Sequence, residues 1–302
     1  MTIRRGLMKI LMQEDLNFLL TNRLPRRFAT QAMGWFSRIE QGLVRDASIR
    51  AWRFFSDVDL SDAQTQHFAS LHHAFTRALL PGARAADPDP AVVASPCDAI
   101  VGAHGRIEGD RLYQVKGFPY RLIDLIPDGQ VAERVRDGSF VTLRLTAGMY
   151  HRFHAPHDIV VKAVTYLSGD CWNVNPIALK RVEKLFCRNE RAVIEAELVA
   201  TGEPILLVPV AAILVASIRL AFLDTQAALR EGGPGRIVCD VPTTKGEEMG
   251  WFEHGSTIIL FVPPGFAMAE GIDEGRQIRA GEALLRRVPQ SDAAAVIREY
   301  DN

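Results

Sequence analysis

Apolar residues near the N-terminus recur at the three- and four-residue spacing of amphipathic helices. Polar residues fill the intervening positions, and Pro25 stands where proline favours the first turn of a helix. The pattern predicts that the first 55 residues are mainly helical. The apolar stripes are Met8, Leu11, Met12, Leu16, Leu19 and Leu20, followed by Phe28, Ala32, Trp35, Phe36, Ile39 and Leu43.

A third helical pattern covers residues 61–77 and ends at the Leu-Pro-Gly of residues 80–82, and residues 85–90 have the composition of a linker. From residue 92 to 215 the pattern changes to short apolar runs separated by Gly, Pro, Asp and Asn, which indicates β-strands. Residues 231–250 have the composition of an exposed loop. The predicted strands lie at 140–145, 159–166, 192–198, 205–214 and 257–262. An α+β fold is therefore predicted, with a helical N-terminal region before a strand-rich, mainly antiparallel body.

The N-terminal region carries excess positive charge, with ten basic and four acidic residues in positions 1–55 of a chain whose formal net charge is -1. The second apolar stripe, with its tryptophan and its flanking arginines, is typical of a helix that lies in a membrane interface. A helix packed on the protein's own core fits the same stripe, and both interpretations stay open. The longest largely apolar run, 205–218, contains Pro209 and is shorter than the roughly 20 residues that a spanning helix needs. Glu14 and Asp15 interrupt the apolar N-terminus, so an export signal is not expected.

Overall charge and cysteine usage narrow the function classes. A net charge of -1 gives no global attraction to phosphate backbones, so no nucleic-acid partner is expected. The four cysteines are far apart and form no CxxC pair, which favours reduced thiols over zinc or disulfide frameworks. The phosphate-binding motif GxxxxGK[ST] does not occur, and the glycines of 232–235 do not join a predicted strand to a helix. A nucleotide enzyme is therefore disfavoured.

Three short segments concentrate reactive side chains beside predicted strands. They are residues 95–98 (SPCD), 150–157 (YHRFHAPH) and 254–257 (HGST). The spacing of His151, His154 and His157 is compatible with metal ligands, but further Cys, Asp or Glu ligands at fixed offsets do not accompany them, so no metal is expected. Gly255 and Ser256 do not form a GxSxG elbow because residue 258 is Ile.

Taken in order, these segments resemble the motifs of the phosphatidylserine decarboxylase family. That family has an SPxDG-like segment, then YHRxHxP, then a KGEEMGxFxxGST-like run. This chain has SPCDA at 95–99, YHRFHAP at 150–156 and KGEEMGWFEHGST at 245–257. The resemblance covers roughly residues 70 to 285 and includes Lys116-Gly117, Gly138 to Val141, Trp172 to Asn175 and Phe186 to Arg191. Two positions depart from the family pattern: Ala99 replaces the usual Gly, which puts the local turn at Asp98 in question, and His254 stands where Leu is frequent.

The resemblance implies that the chain makes its own cofactor. Ser256 would attack the carbonyl of Gly255, the chain would divide into pieces 1–255 and 256–302, and Ser256 would become an N-terminal pyruvoyl group that condenses with the substrate amine as a Schiff base. A serine hydroxyl needs a base to take its proton, and a carboxylate fixes the tautomer of a histidine base. By resemblance these roles fall to His154 and Asp98. Thr257 would orient the scissile bond, and His151 would assist decarboxylation or protonate the carbanion.

The implied reaction is decarboxylation of phosphatidylserine to phosphatidylethanolamine and CO2 at an anionic membrane surface. Residues 1–60 would then be the membrane-associating region and residues 61–302 the catalytic domain. The family also implies association of the two self-cleaved chains and a possible homodimer. Compact length, the missing signal peptide and the basic N-terminus predict a peripheral location on the cytoplasmic face of a bacterial cell membrane. Two alternatives stay open: a pyruvoyl decarboxylase of a soluble amino acid, and a non-catalytic lipid-binding relative.

Overall fold

The computed structural model describes residues 13–23, 26–114, 118–212, 218–224, 235–253 and 256–288. Short helices dominate the first part, and antiparallel strands dominate the rest. The helices are α1 (Glu14–Phe18, continued by a π-helical turn, Leu19–Arg23), α2 (Arg26–Phe36), α3 (Gly42–Ser56), α4 (Leu71–Phe75), α5 (Leu122–Leu125), α6 (Gly129–Glu133), α7 (Pro176–Leu179) and α8 (Leu185–Arg188). The strands are β1 (Val92–Ala94), β2 (Ala99–Arg106), β3 (Arg111–Tyr113), β4 (Pro119–Arg121), β5 (Ser139–Arg144), β6 (Arg152–His154), β7 (Ile159–Leu167), β8 (Arg191–Leu198), β9 (Pro204–Ala211), β10 (Ile218–Leu220), β11 (Arg236–Thr243), β12 (Glu248–Phe252), β13 (Ser256–Val262), β14 (Phe266–Met268), β15 (Gln277–Ile278) and β16 (Ala283–Arg287).

The body is built on one antiparallel sheet of eight strands in the order β11-β7-β8-β9-β13-β5-β2-β15. β13 lies near its middle, paired with β9 on one edge and β5 on the other. Every residue of β13 is buried, and its run of β-branched and large apolar side chains is typical of a strand covered on both faces. The predicted α+β class is confirmed, and the strands predicted from apolar runs occur within one or two residues of their expected bounds, except that β9 ends three residues early.

Both faces of the sheet carry a hydrophobic core, because side chains alternate between the two sides of a strand. Ile258 and Leu260 of β13 belong to the core on one face, and Ile259 and Phe261 belong to the core on the other. A smaller sheet, β10-β12-β6, packs at the end of β13 where Ser256 lies and carries Arg152 to His154 beside the residues that precede the strand. The two sheets therefore bring the second and third reactive segments together.

The N-terminal region is helical as predicted, but its second helix is interrupted. α2 ends at Phe36, and α3 begins at Gly42, so Leu43 belongs to a different helix from Phe28 and Trp35. The first apolar stripe lies partly outside the described residues, which begin at residue 13. None of the described helices is long and apolar enough to cross a bilayer.

Large apolar side chains of these helices point away from the protein. Phe28, Trp35 and Leu43 are 71%, 73% and 77% exposed. Other parts of the helices contact the body: Asn22 Oδ1 accepts a hydrogen bond from the Asn173 amide at 3.0 Å, and Trp52 Nε1 donates to the Ala147 carbonyl at 2.9 Å. The structure therefore does not support packing of the whole stripe on the protein's own core.

Two predicted elements are wrong. Only Leu71–Phe75 is helical within residues 61–77, because side chains such as Gln66, whose Nε2 donates to the Leu60 carbonyl, hold the preceding chain in irregular turns. Residues 231–250 were expected to form a loop, yet β11 and the start of β12 fall there. β11 pairs with β7 at the border of the sheet, where many of its residues are exposed. The stretches on either side of it, EGGPG and TTKG, have the composition of a loop.

The close packing of the small sheet can be tested at Gly250. A Cβ there would lie 2.1 Å from the Arg219 carbonyl oxygen and 2.8 Å from the Phe153 ring, whereas a Cβ at Gly34 in α2 meets nothing within 4 Å. We expect Gly250→Ala to lower the free energy of unfolding by about 1–3 kcal/mol, because overpacking separates β10 from β12. Gly34→Ala should leave it unchanged or raise it by up to about 1 kcal/mol. Urea denaturation followed by circular dichroism, in a Ser256→Ala background, measures both; equal stabilities would contradict the packing described.

Candidate active site

The carboxylate of Asp98 is held in a fork of hydrogen bonds immediately before β2. Arg84 Nε and Nη2 each donate to one carboxylate oxygen at 2.7 Å, and the Ala280 amide donates to Oδ1 at 2.9 Å. Arg84 also pairs with Asp62 at 2.9 Å. A bidentate guanidinium fixes both the position and the negative charge of a carboxylate. Asp98 is therefore held in a fixed position, with the Arg84 guanidinium as its direct ion-pair partner.

His154 ends β6 between two hydrogen-bond partners. Its Nδ1 lies 2.9 Å from the Gly246 carbonyl, and its Nε2 lies 3.1 Å from the Tyr150 hydroxyl. Because a carbonyl only accepts, Nδ1 carries the proton and Tyr150 donates to Nε2. Burial lowers the pKa of His154 below its usual 6.5, although the Gly246 carbonyl and nearby carboxylates oppose that shift. The imidazole is thus neutral at pH 7, with Nε2 as the basic nitrogen.

Asp98 and His154 belong to one polar cluster but do not contact each other directly. The Arg84 guanidinium lies 5.7 Å from the centre of the Tyr150 ring, and Tyr150 in turn bonds to His154. The sequence-based expectation that a carboxylate fixes the tautomer of His154 is therefore not matched by the geometry. The Gly246 carbonyl holds the proton of Nδ1 instead. Asp98 adds a negative charge within electrostatic range of the imidazole.

His151 is fully buried beside the segment that leads to Ser256. Its Nδ1 lies 2.9 Å from the Met149 carbonyl, and its own carbonyl accepts from the Phe252 amide at 2.9 Å. The imidazole packs against the ring of Phe75, with 4.0 Å between the centroids. Phe75 also lines a large cavity, so His151 lies directly behind the cavity wall.

Ser256 is the first residue of β13, is fully buried and is one of the residues that line that cavity. Its Oγ and the Oγ1 of Thr257 have no hydrogen-bond partner among the described residues. A buried hydroxyl without a partner costs roughly 1–3 kcal/mol, so such groups are rare and concentrate where chemistry occurs. The residues preceding it, His254 and Gly255, lie outside the described residues.

The cavity has a volume of about 770 Å³ and separates the N-terminal helices from the end of the main sheet. Its lining is mainly apolar, with Arg144 as the one charged side chain among the described residues that border it. The lining residues include Met33, Phe36, Trp52, Phe55, Phe75, Arg144, Leu145, Asn173, Val174 and Ser256. A cavity of this kind can take an aliphatic ligand whose polar end reaches Ser256.

The motif segments also contribute supporting contacts that the sequence did not predict. Arg152 of the YHRFHAP segment pairs with Glu248 of the KGEEMG segment at 2.9 Å and donates to the Thr76 carbonyl. Gly246 has a φ of 85°, a left-handed conformation that glycine adopts without strain and that presents its carbonyl to His154. Tyr150 could have been identified from the sequence, because it is adjacent to His151 in the same motif. Arg84 could not have been identified from the sequence, because it lies between the Leu-Pro-Gly of residues 80–82 and the linker-like residues 85–90, outside the three motifs.

The histidines of the YHRFHAPH segment do not form a metal site with other described residues. Among the described residues, no group of three or more His, Cys, Asp and Glu side chains could hold a metal ion. His157 points elsewhere, with Nε2 at 2.9 Å from the Pro90 carbonyl.

Ala99 begins β2 and pairs with Ile278, and it is not among the residues with positive φ. Alanine at this position therefore does not strain the turn beside Asp98.

The chain is similar to a known protein family and to curated proteins over most of its length. The family model described as phosphatidylserine decarboxylase matches residues 71–286. Similar curated proteins are named phosphatidylserine decarboxylase proenzyme: that of Erwinia tasmaniensis is 32% identical, with 92% of this chain and 96% of the relative covered. That of Halorhodospira halophila is 36% identical, with 91% of each covered. That of Myxococcus xanthus is 32% identical, with 86% of this chain and 94% of the relative covered.

The protonation state assigned to His154 can be checked by NMR. Since burial disfavours the imidazolium, the folded protein should bind the proton at a pH below 6.5, whereas the unfolded chain binds it near 6.5. The stability that neutral His154 contributes is therefore complete above pH 6.5 and is lost as the pH falls below it. We expect a titration midpoint below 6.5 for the His154 resonance, assigned with His154→Asn, in a Ser256→Ala protein. A midpoint at or above 6.5 would show that the surroundings favour the charged form.

Proposed function

The chain belongs to the phosphatidylserine decarboxylase family, and from this premise we propose that it cuts itself between Gly255 and Ser256 and then converts phosphatidylserine to phosphatidylethanolamine and CO2. The observation that carries this proposal is the buried, unpartnered Oγ of Ser256 at the border of an apolar cavity. A hydroxyl free of competing hydrogen bonds is available to react, and the apolar lining favours a lipid over a free amino acid.

Self-cleavage begins with attack of Ser256 Oγ on the Gly255 carbonyl carbon, which breaks the Gly255–Ser256 peptide bond and joins the two residues by an ester. Loss of the Ser256 α-proton then expels the Gly255 carboxylate and leaves dehydroalanine at the new N-terminus. Water hydrolyses this enamine to a ketone and releases ammonia. The products are chain 1–255 and chain 256–302, the latter with an N-terminal pyruvoyl group.

His154 is the proposed base for the first step. Its neutral imidazole and protonated Nδ1 leave Nε2 able to accept a proton. In this proposal Nε2 exchanges its hydrogen bond with Tyr150 for one with Ser256 Oγ. Asp98, fixed by Arg84, stabilises the imidazolium by charge at a distance rather than by direct contact. Thr257 orients the scissile bond in this proposal.

The buried site at Ser256 fits a small carbonyl group, because the residue lines the cavity and its Oγ has no hydrogen-bond partner among the described residues. A pyruvoyl ketone supplies an electron sink for the charge left when CO2 departs. The chain's own residues bind the substrate, shield it from water and protonate the substrate carbon. His151, behind Phe75, is the proposed proton donor to the substrate carbon, and the apolar lining excludes water.

The N-terminal helices support a peripheral membrane location. Phe28, Trp35 and Leu43 are exposed large apolar residues of α2 and α3, the same helices whose Phe36 and Phe55 line the cavity. Aromatic and aliphatic side chains of this kind insert at the interface of a bilayer, and basic side chains of α3 favour anionic lipids. We therefore propose residues 1–60 as the membrane-associating region and 61–302 as the catalytic domain, on the cytoplasmic face of a bacterial membrane.

Mass spectrometry of the purified protein tests self-cleavage. We expect two chains, 1–255 and a pyruvoyl-capped 256–302, because Ser256 is free to attack. Ser256→Ala should give one intact chain, and His154→Gln should slow cleavage at least about 100-fold, the usual effect of removing a general base. Ser139→Ala serves as a control on another strand. An intact wild-type chain would reject the proposal and favour a non-catalytic lipid-binding relative.

Sedimentation with vesicles tests the membrane region in the full chain. The triple variant Phe28→Ser, Trp35→Ser, Leu43→Ser should lose binding to phosphatidylserine-containing vesicles, because each loss of buried apolar area costs about 1–3 kcal/mol. The matched control replaces Val199 and Val238, which are 61% and 73% exposed on the body, by Ser.

Unchanged vesicle binding by the triple variant would refute the membrane role of these helices. Light scattering of the same samples separates a second explanation for the exposed residues. A triple variant that binds vesicles but changes from dimer to monomer would assign the apolar surface to self-association instead.

A further inference from the structure

A half-buried cation without an acidic partner borders the cavity beside Ser256. Arg144 is the last residue of β5 and faces Thr257 across the β5–β13 pair, so the two side chains project from the same face of the sheet. Arg144 also borders the cavity together with Ser256. Within the described residues its guanidinium makes no ion pair and no side-chain hydrogen bond, and no acid contributes to its electrostatics.

Other buried arginines in this fold each have a protein partner, and even Arg77, whose Nε and Nη1 have none among the described residues, donates from Nη2 to the Asp59 carbonyl. Arg84 binds Asp98 and Asp62, and Arg191 donates to the carbonyls of Leu125, Cys187 and Asn189. Burying a guanidinium without such partners costs free energy, and burial lowers the pKa of Arg144 for the same reason. The missing partner of Arg144 therefore points to an anion supplied from outside the chain.

The proposed substrate offers two anionic groups, and the chemistry distinguishes them. The α-carboxylate loses its charge as CO2 leaves, so a cation bound to it stabilises the starting state more than the transition state and slows the reaction. The phosphodiester keeps its charge throughout. A cation bound there strengthens binding without opposing decarboxylation.

We infer that Arg144 binds the phosphodiester of the phospholipid substrate and makes the site specific for a phospholipid headgroup over free serine, an inference that rests on the proposed function. The guanidinium fork matches two phosphate oxygens. Asn173 also lines the cavity, and its Nδ2 donates no hydrogen bond within the described part of the chain, so it is a second donor for the same group. The acyl chains then lie against apolar residues of the helices, such as Met33 and Phe55.

Steady-state kinetics on full-length, self-cleaved protein tests the inference. Arg144→Met should raise the KM for phosphatidylserine in mixed micelles about 10- to 100-fold, the size of a lost charged hydrogen bond, with kcat nearly unchanged because the contact is uniform. Arg144→Lys should be intermediate. For an O-alkyl-L-serine ether, which lacks phosphate, Arg144→Met should have no effect. Arg136→Met is the control, since Arg136 pairs with Glu133 outside the cavity. Equal KM increases for both substrates would assign Arg144 to the carboxylate and overturn the inference.

A binding measurement separates failure of this inference from failure of the proposed function. The Ser256→Ala chain cannot cleave, and calorimetry should show that it binds dihexanoyl phosphatidylglycerol at least about 10-fold more tightly than the Ser256→Ala, Arg144→Met chain. Equal affinities would refute the phosphodiester contact whether or not the wild type cleaves. Inorganic phosphate is titrated in parallel. If it binds Ser256→Ala as tightly as the lipid does, the site recognises free phosphate, and the assignment to a phospholipid headgroup is wrong.

Discussion

The complete burial of β13 is the constraint on which the site depends. The strand is covered on both faces and hydrogen-bonded along both edges, so pairing and burial fix the position of the backbone from Ser256 onward. The Ser256 hydroxyl is buried and has no hydrogen-bond partner in the described part of the chain, at a cost that the surrounding sheet must offset. The Leu145 amide bonds to the Ser256 carbonyl at 2.9 Å, which also ties this residue to the segment before the YHRFHAP motif.

Much of the motif pattern serves to hold the reactive groups rather than to react. The third motif supplies the Gly246 carbonyl for His154, Glu248 for Arg152, and Lys245, whose Nζ donates to the Asp89 and Val92 carbonyls at 2.9 and 2.7 Å. Glu253, two residues before the expected cut, is paired with Arg38 and Arg219. The helical region and the small sheet therefore meet at the approach to Ser256.

Strands with uninterrupted apolar runs could be predicted because burial on both faces leaves an unmistakable composition. β11 could not, because it lies between the EGGPG of residues 231–235 and the TTKG of residues 243–246, whose composition is that of a loop. The break after Phe36 was hidden for a related reason: helical periodicity continues through residues 37–41, while contacts such as the Arg38 ion pair with Glu253, distant in sequence, fix a different path. The reactive residues were found through motif order. Their actual partners could not be assigned in this way: Arg84 lies outside the three motifs, and the Gly246 carbonyl is a backbone group, which the residue types of its motif do not single out.

Strand pairing has a consequence for the pieces that a cut before Ser256 would produce. The smaller piece would contribute β13, in the middle of the main sheet, and also β15 and β16, which pair with β2 and β1 of the larger piece. The two polypeptides would thus be interwoven rather than docked. Their separation would require breaking the central hydrogen-bond ladder, so dilution would not dissociate them, and the heterodimer would behave in unfolding as one cooperative unit.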